Sequence, residues 1–118
     1  MKKILFTLRK PPHSGVYTQE MLDAIMTVAA FDQEVSILLL DDSVFQLKKH
    51  QDPSSSGLKN TAAMFKALPL YDIENIYVES ESLLERGLTI DCLEQPIKPI
   101  TRQQIGQFFT QFDLVLPG

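Results

Sequence analysis

Cys92 is the only cysteine in this chain of 118 residues. One thiol excludes an internal disulfide and fits a reducing compartment. Long apolar runs are missing too: none approaches the roughly 20 residues that span a bilayer. Lys2 and Lys3 precede apolar residues, as in a secretory leader. But Ile4–Leu8 runs for only five residues before Arg9, Lys10, Pro11 and Pro12, too short for a leader's hydrophobic region. A cytoplasmic protein is the expectation, with no membrane contact.

Phosphate-binding signatures are absent as well. There is no Gly-x-Gly-x-x-Gly and no Gly-Lys-Ser/Thr, and the first loop holds one glycine, Gly15. A backbone so built does not readily wrap a pyrophosphate, so no nucleotide or flavin is expected. Two histidines, His13 and His50, and one cysteine show no metal-ligand spacing. No cofactor is therefore expected. The net charge of −4 argues against direct binding to tRNA or another polyanion. Lys2, Lys3, Arg9 and Lys10, and Lys48 with Lys49, form small clusters without interleaved aromatics and read as solvated surface.

What is present is a repeating alternation of strands and helices. Lys3–Leu8 and Glu34–Leu40 are nearly continuous apolar runs, the pattern of parallel strands buried on both faces. Between them, from about Val16 to Ala30, Met21, Leu22, Ile25, Val28 and Ala29 recur at helical spacing. Leu58–Leu68 reads as a second long helix, with Leu58, Ala62, Phe65 and Leu68 inward and Pro69 at its end. Asn75–Val78 is a third strand, and Ser82–Arg86 about one helical turn before Gly87. Pro96 and Pro99 allow only a short strand near an edge within Leu93–Ile100. Thr101 with Gln104 has the spacing of a capping box and opens a helix whose stripe is Ile105, Phe108, Phe109 and Phe112. Leu114–Leu116 is a last strand. Repeated βα units imply one α/β domain over 1–118, a parallel sheet with helices on both faces. Pro53-Ser54-Ser55-Ser56-Gly57 reads as a loop within it.

Such sheets bind ligands beyond the carboxyl ends of their strands. That rim would hold Arg9–Gly15, Asp41–Val44 and Glu79–Ser82. Asp41 and Asp42 are adjacent carboxylates, a pair that can do acid–base work or hold a hard cation. Neighbours in sequence point apart, however, and Asp42 reads better as a helix N-cap. His13 could donate a hydrogen bond to an anion or simply anchor its loop. Cys92 lies between Asp91 and Glu94, where negative charge disfavours a thiolate. Glu79 reads as a strand-end carboxylate in water. Phe45, Leu47, Leu70 and Tyr71, near element ends, leave apolar surface to cover.

Several strings, in this order, carry a resemblance over nearly the whole chain. They are Pro12-His13, Asp42-Ser43-Val44-Phe45-Gln46-Leu47, Lys66-Ala67-Leu68-Pro69, Leu70-Tyr71-Asp72-Ile73-Glu74, Arg86-Gly87-Leu88 and Asp113-Leu114-Val115-Leu116. The chain resembles the DsrE/DsrF/DsrH-like sulfur-relay proteins, most of all their DsrF-like, or TusC-type, subunits. It departs at Ser43, where glycine is more usual. In the sulfur-carrying relatives a cysteine ends the third strand, eight residues before the glycine. Here that position is Glu79.

The resemblance implies a five-stranded α/β subunit with flavodoxin-like layering. It implies no catalytic residue of its own and a place in a TusBCD-type heterohexamer, a dimer of heterotrimers with TusB-like and TusD-like subunits. Such a complex passes persulfide sulfur from TusA to TusE for 2-thiolation of the wobble uridine in tRNA. The segment holding Asp42, Phe45 and Gln46 would lie near subunit contacts. Other readings are a DsrF-type subunit of a dissimilatory sulfur-oxidation complex, a stand-alone sulfurtransferase using Cys92, and a flavodoxin-like ligand-binding domain, which the missing phosphate loop disfavours.

Overall fold

The computed structural model describes residues 2–10, 17–31, 33–47, 65, 67–93 and 97–117. Five strands form one sheet: β1 Lys3–Leu8, β2 Glu34–Leu39, β3 Asn75–Glu79, β4 Lys98–Ile100 and β5 Leu114–Pro117. Among the described residues the α-helices with defined bounds are, in chain order, α1 Tyr17–Ala29, α2 Ser80–Glu85 and α3 Arg102–Phe109. Shorter 3-10 turns cover Asp41–Leu47, Leu68–Tyr71 and Ile90–Cys92.

The strand order is β4-β3-β2-β1-β5, and every adjacent pair is parallel. The expected parallel α/β sheet is therefore present, with its short proline-bearing strand, Lys98–Ile100, at an edge. The chain steps from β1 to β4 in one direction and then returns beside β1. Right-handed crossovers put the first connections on one face and the last, α3, on the other.

Two apolar clusters match that division. Alternate residues of the strands, Ile4, Phe6, Leu8, Val35, Ile37, Leu39, Ile76 and Val78, pack with Leu22, Ile25, Phe65, Leu68 and Leu83. Leu22 and Ile25 of α1 are fully buried, each worth about 1.5–3 kcal/mol against exposure. On the opposite face Leu5, Leu38, Leu40 and Ile100 meet Phe108, with Tyr77, Ile105, Phe109 and Phe112 against them. The Phe108 ring lies 4.6 Å from Tyr77 and 5.0 Å from Phe112, so an eight-residue helix covers its face through aromatic contacts.

Helix ends follow the expected chemistry in part. Gln104 accepts the Thr101 backbone N–H at 3.1 Å, the return bond of the capping box. Gly87 closes the turn after α2 at φ +68°, and the Leu88 N–H returns to the Leu83 carbonyl at 2.9 Å. Asp42 is a correction. Asp41–Leu47 forms the 3-10 turn with both aspartates in its first turn, so Asp42 lies inside the turn and caps nothing. Pro69 likewise sits within the 3-10 turn Leu68–Tyr71, and the chain ends that turn at Asp72 in the left-handed region. The expected helix before Phe65, the Pro53–Gly57 loop, His13 and His50 lie outside the described residues.

Candidate functional site

With all strands parallel, their carboxyl ends share one rim. β1 delivers Arg9 there, β2 delivers Leu40 and Asp41, and β3 ends in Glu79. In the sheet register Glu79 sits opposite Ile100. The first residue of α3, Arg102, therefore emerges just beyond Glu79 on the neighbouring strand. A cavity of about 280 Å³ opens between them, lined by Arg9, Asp41, Glu79, Arg102 and Ile105 among others.

Glu79 is the centre of this rim and is only 4 % exposed. Its Oε1 accepts from Arg102 Nη2 at 2.8 Å and Nε at 3.1 Å, and from the Ser82 hydroxyl at 2.5 Å. The reading of Glu79 as a carboxylate in water is thus overturned: a buried charge needs a partner, and Arg102 supplies it. Burial alone would raise the Glu79 pKa. The hydrogen bonds from Arg102 and Ser82, with the Arg102 charge, outweigh burial and hold the carboxyl below its ordinary value near 4.5.

The same guanidinium also grips Glu85, through Nη2 at 2.9 Å and Nη1 at 3.2 Å. Hydrogen bonding to Arg102 lowers the Glu85 pKa, and the two carboxylates raise that of Arg102. Glu81 Oε1 accepts the Arg102 backbone N–H at 2.8 Å. A cation in the first turn of a helix opposes the macrodipole, but here three carboxylates surround it.

Asp41 forms the second half of the rim. Its Oδ2 accepts from Arg9 at 2.9 Å, and its backbone N–H donates to Ser82 Oγ at 2.9 Å. Asp41 has φ +52°, a conformation that costs a non-glycine residue about 1–2 kcal/mol. Beside it the fully buried Ser43 oxygen accepts the Leu40 N–H at 2.9 Å. It lies 2.5 Å from the Leu8 carbonyl and 2.6 Å from that of Leu40, between which its single proton is shared. Ser43 thus ties the ends of β1 and β2 together.

The other sequence candidates are dispersed. Asp42 Oδ1 accepts from Arg86 Nε at 2.9 Å, on the exposed side of the rim. Phe45 packs half-buried against the larger apolar cluster. Gln46 lies in the same 3-10 turn, its side chain outside the described residues, as is that of Cys92 in the turn Ile90–Cys92. Tyr71 precedes β3, toward the amino ends of the strands and away from the rim, and is 47 % exposed. Arg102, Glu85 and Arg86 were missed by sequence reasoning. The only sequence signal for the first is a basic residue right after a capping threonine, which is an odd choice for a helix start.

A larger cavity, about 380 Å³, runs beside α3 and is lined by Tyr77, Ile100, Gln104, Gln107 and Phe108 among others. Among the described residues no Asp, Glu, Lys or Arg lines it, so the charged chemistry described belongs to the rim. Among the described residues no group of three or more His, Cys, Asp or Glu side chains could hold a metal. Among them, no helix is long and apolar enough to cross a membrane.

These features define an α/β domain whose rim presents an ion-paired carboxylate. Residues 2–117 match the model of the DsrE/DsrF-like family, and the chain belongs to that family. It is 42% identical over 93 residues to the intracellular sulfur oxidation protein DsrF of Allochromatium vinosum, covering 79% of this chain and 68% of that one. It is 33% identical over 115 residues to the TusC homolog of Pseudomonas aeruginosa, covering 98% and 97%. The TusC homolog of Pasteurella multocida is 42% identical over 94 residues, 77% of this chain and 79% of that one. The fold matches the crystal structure of the YchN protein of E. coli with a TM-score of 0.85 at 18% identity over the full length of both chains. The resemblance seen in the sequence to DsrF-like, TusC-type proteins is therefore upheld.

Proposed function

We propose that this chain is a non-catalytic subunit of a TusBCD-type sulfur-relay complex. In that assembly it stands with TusB-like and TusD-like subunits in the cytoplasm, and persulfide sulfur passes from TusA to TusE on the way to 2-thiolated wobble uridine. The observation that carries this reading is Glu79. By the resemblance read from the sequence it stands where sulfur-carrying relatives hold a cysteine; it is buried and bound on one oxygen by Arg102 and Ser82. A carboxylate cannot hold a persulfide, and this one is committed to an internal ion pair. Exposed apolar side chains support assembly with other subunits: Leu70 is 85 % exposed, Leu84 75 % and Phe31 72 %.

The test is co-expression with TusB-like and TusD-like partners, followed by size-exclusion chromatography with light scattering. A complex containing all three chains is expected, burying roughly 1,200–2,000 Å² per interface. A chain that remains monomeric beside both partners would contradict the proposal. The 42% identity to a DsrF protein favours one second reading, a subunit of a dissimilatory sulfur-oxidation complex. Genes for dissimilatory sulfite reductase beside this one would favour it. TusB-like and TusD-like neighbours would favour tRNA thiolation.

A further inference from the structure

The rim contains a one-way hydrogen-bond relay that leads from Glu79 to a strained turn. An amide can only donate, so the Asp41 N–H, 2.9 Å from Ser82 Oγ, obliges that oxygen to accept. A hydroxyl carries one proton, and that of Ser82 then points to Glu79 Oε1 at 2.5 Å. An ionised carboxylate is acceptor-only, so the Ser82 hydroxyl must donate to Glu79, while the Asp41 amide fixes the direction of the other bond. Ser82 is fully buried and has no exposure through which water could replace either bond.

At the far end of the relay stands Asp41, at φ +52°. It is the first residue of the turn Asp41–Leu47, which presents Asp42 on the surface and tucks Ser43 and Val44 into the core. A strained backbone persists only where its surroundings over-determine it. Here the constraints are the Ser82 bond on the Asp41 amide and the Arg9 bond on its carboxylate.

We infer that Glu79 is a positioning residue: acting through Ser82, it holds Asp41 in its left-handed conformation and thereby sets the geometry of the turn Asp41–Leu47. This role is independent of the relay assignment, because it concerns the isolated chain. It also gives the carboxylate a task that a cysteine at this position could not perform, a thiol being a weak acceptor.

The experiment is amide hydrogen exchange, read by NMR at Asp41, with the central-strand amides of Leu38 and Val78 as the report on the intact fold. Glu79→Gln keeps an oxygen acceptor for Ser82 and should leave Asp41 protection within about threefold of wild type. Glu79→Ala removes the acceptor and should speed Asp41 exchange about tenfold, a factor corresponding to about 1.4 kcal/mol, with Leu38 and Val78 still protected. Ser82→Ala, which spares the Glu79–Arg102 pair, should reproduce the loss. In the Ser82→Ala background Glu79→Ala should add nothing further at Asp41. Wild-type protection at Asp41 in Ser82→Ala would overturn the inference. So would equal losses in Glu79→Gln and Glu79→Ala, which would show that charge pairing alone matters. If Glu79→Ala does not fold, Ser82→Ala and Glu79→Gln still decide the question.

Discussion

Arg102 sets two of its nitrogens on a single oxygen of Glu79, at 2.8 and 3.1 Å, although 23 residues separate them in sequence. The bond joins the end of a central strand to the first turn of the only α-helix described on the opposite face of the sheet. Glu85 of α2, from the other face, shares the same guanidinium. One arginine therefore links strand end, α2 and α3 at the rim.

Arg102→Ala should destabilise the chain and lower its urea midpoint, by less than the loss of a fully buried pair would. Removing one partner of a fully buried pair costs about 3–5 kcal/mol, but the Arg102 side chain is 49% exposed, and solvent screens what it contributes. Glu79, at 6% side-chain exposure, is the member left stranded. Urea unfolding of the two proteins checks this through the shift in midpoint. An unchanged midpoint would mean that water replaces the guanidinium without loss.

The pH dependence has a definite sign. Glu79 and Glu85 have folded-state pKa values below the ordinary value near 4.5. Each is protonated more readily when unfolded, so its contribution is present above pH 4.5 and is lost as pH falls through the folded value. Stability measured between pH 7 and pH 2 should hold steady and then drop below about pH 4.5. In Glu79→Gln the drop should be shallower, and the gap between the two proteins should close in acid. A gap that persists unchanged to pH 2 contradicts the ion-pair account.

How much of this was visible in the residues depends on the range of the interaction. Continuous apolar runs at Lys3–Leu8 and Glu34–Leu39 announce buried parallel strands, and Thr101 with Gln104 announces a helix start, because both signals act between near neighbours. Pro99 announces a weak strand, and Lys98–Ile100 is indeed three residues long at the sheet edge. The Glu79–Arg102 pair is different in kind. It exists only because β4 lies beside β3 with Glu79 opposite Ile100, and neither residue carries a local mark of that register. Asp41 was legible as a rim carboxylate but its left-handed backbone was not, since aspartate adopts several turn conformations.

Leu70 and Tyr71 offer a test of the assembly surface. They are 85 % and 47 % exposed, so Leu70→Ser with Tyr71→Ser should change stability by no more than about 0.5 kcal/mol per residue. If this end of the sheet contacts another subunit, the double variant should weaken recovery of the complex with TusB-like and TusD-like partners at least tenfold in apparent affinity. Retention of full affinity would move the interface elsewhere, with Leu84 and Phe31 the next residues to replace.

Cys92→Ser addresses the remaining thiol. If Glu79 marks a subunit that carries no sulfur, replacing Cys92 should leave sulfur transfer through the complex intact. Asp91 and Glu94 flank it in sequence. Cys92 belongs to the short turn Ile90–Cys92, five residues beyond Gly87 and away in sequence from Glu79 at the end of β3. Thiolation of tRNA by the reconstituted complex should match wild type. Mass spectrometry of this chain after exposure to a persulfide donor should show no stable added sulfur on Cys92. An added sulfur on Cys92, together with loss of thiolation in the serine variant, would make this chain a carrier and end the non-catalytic reading.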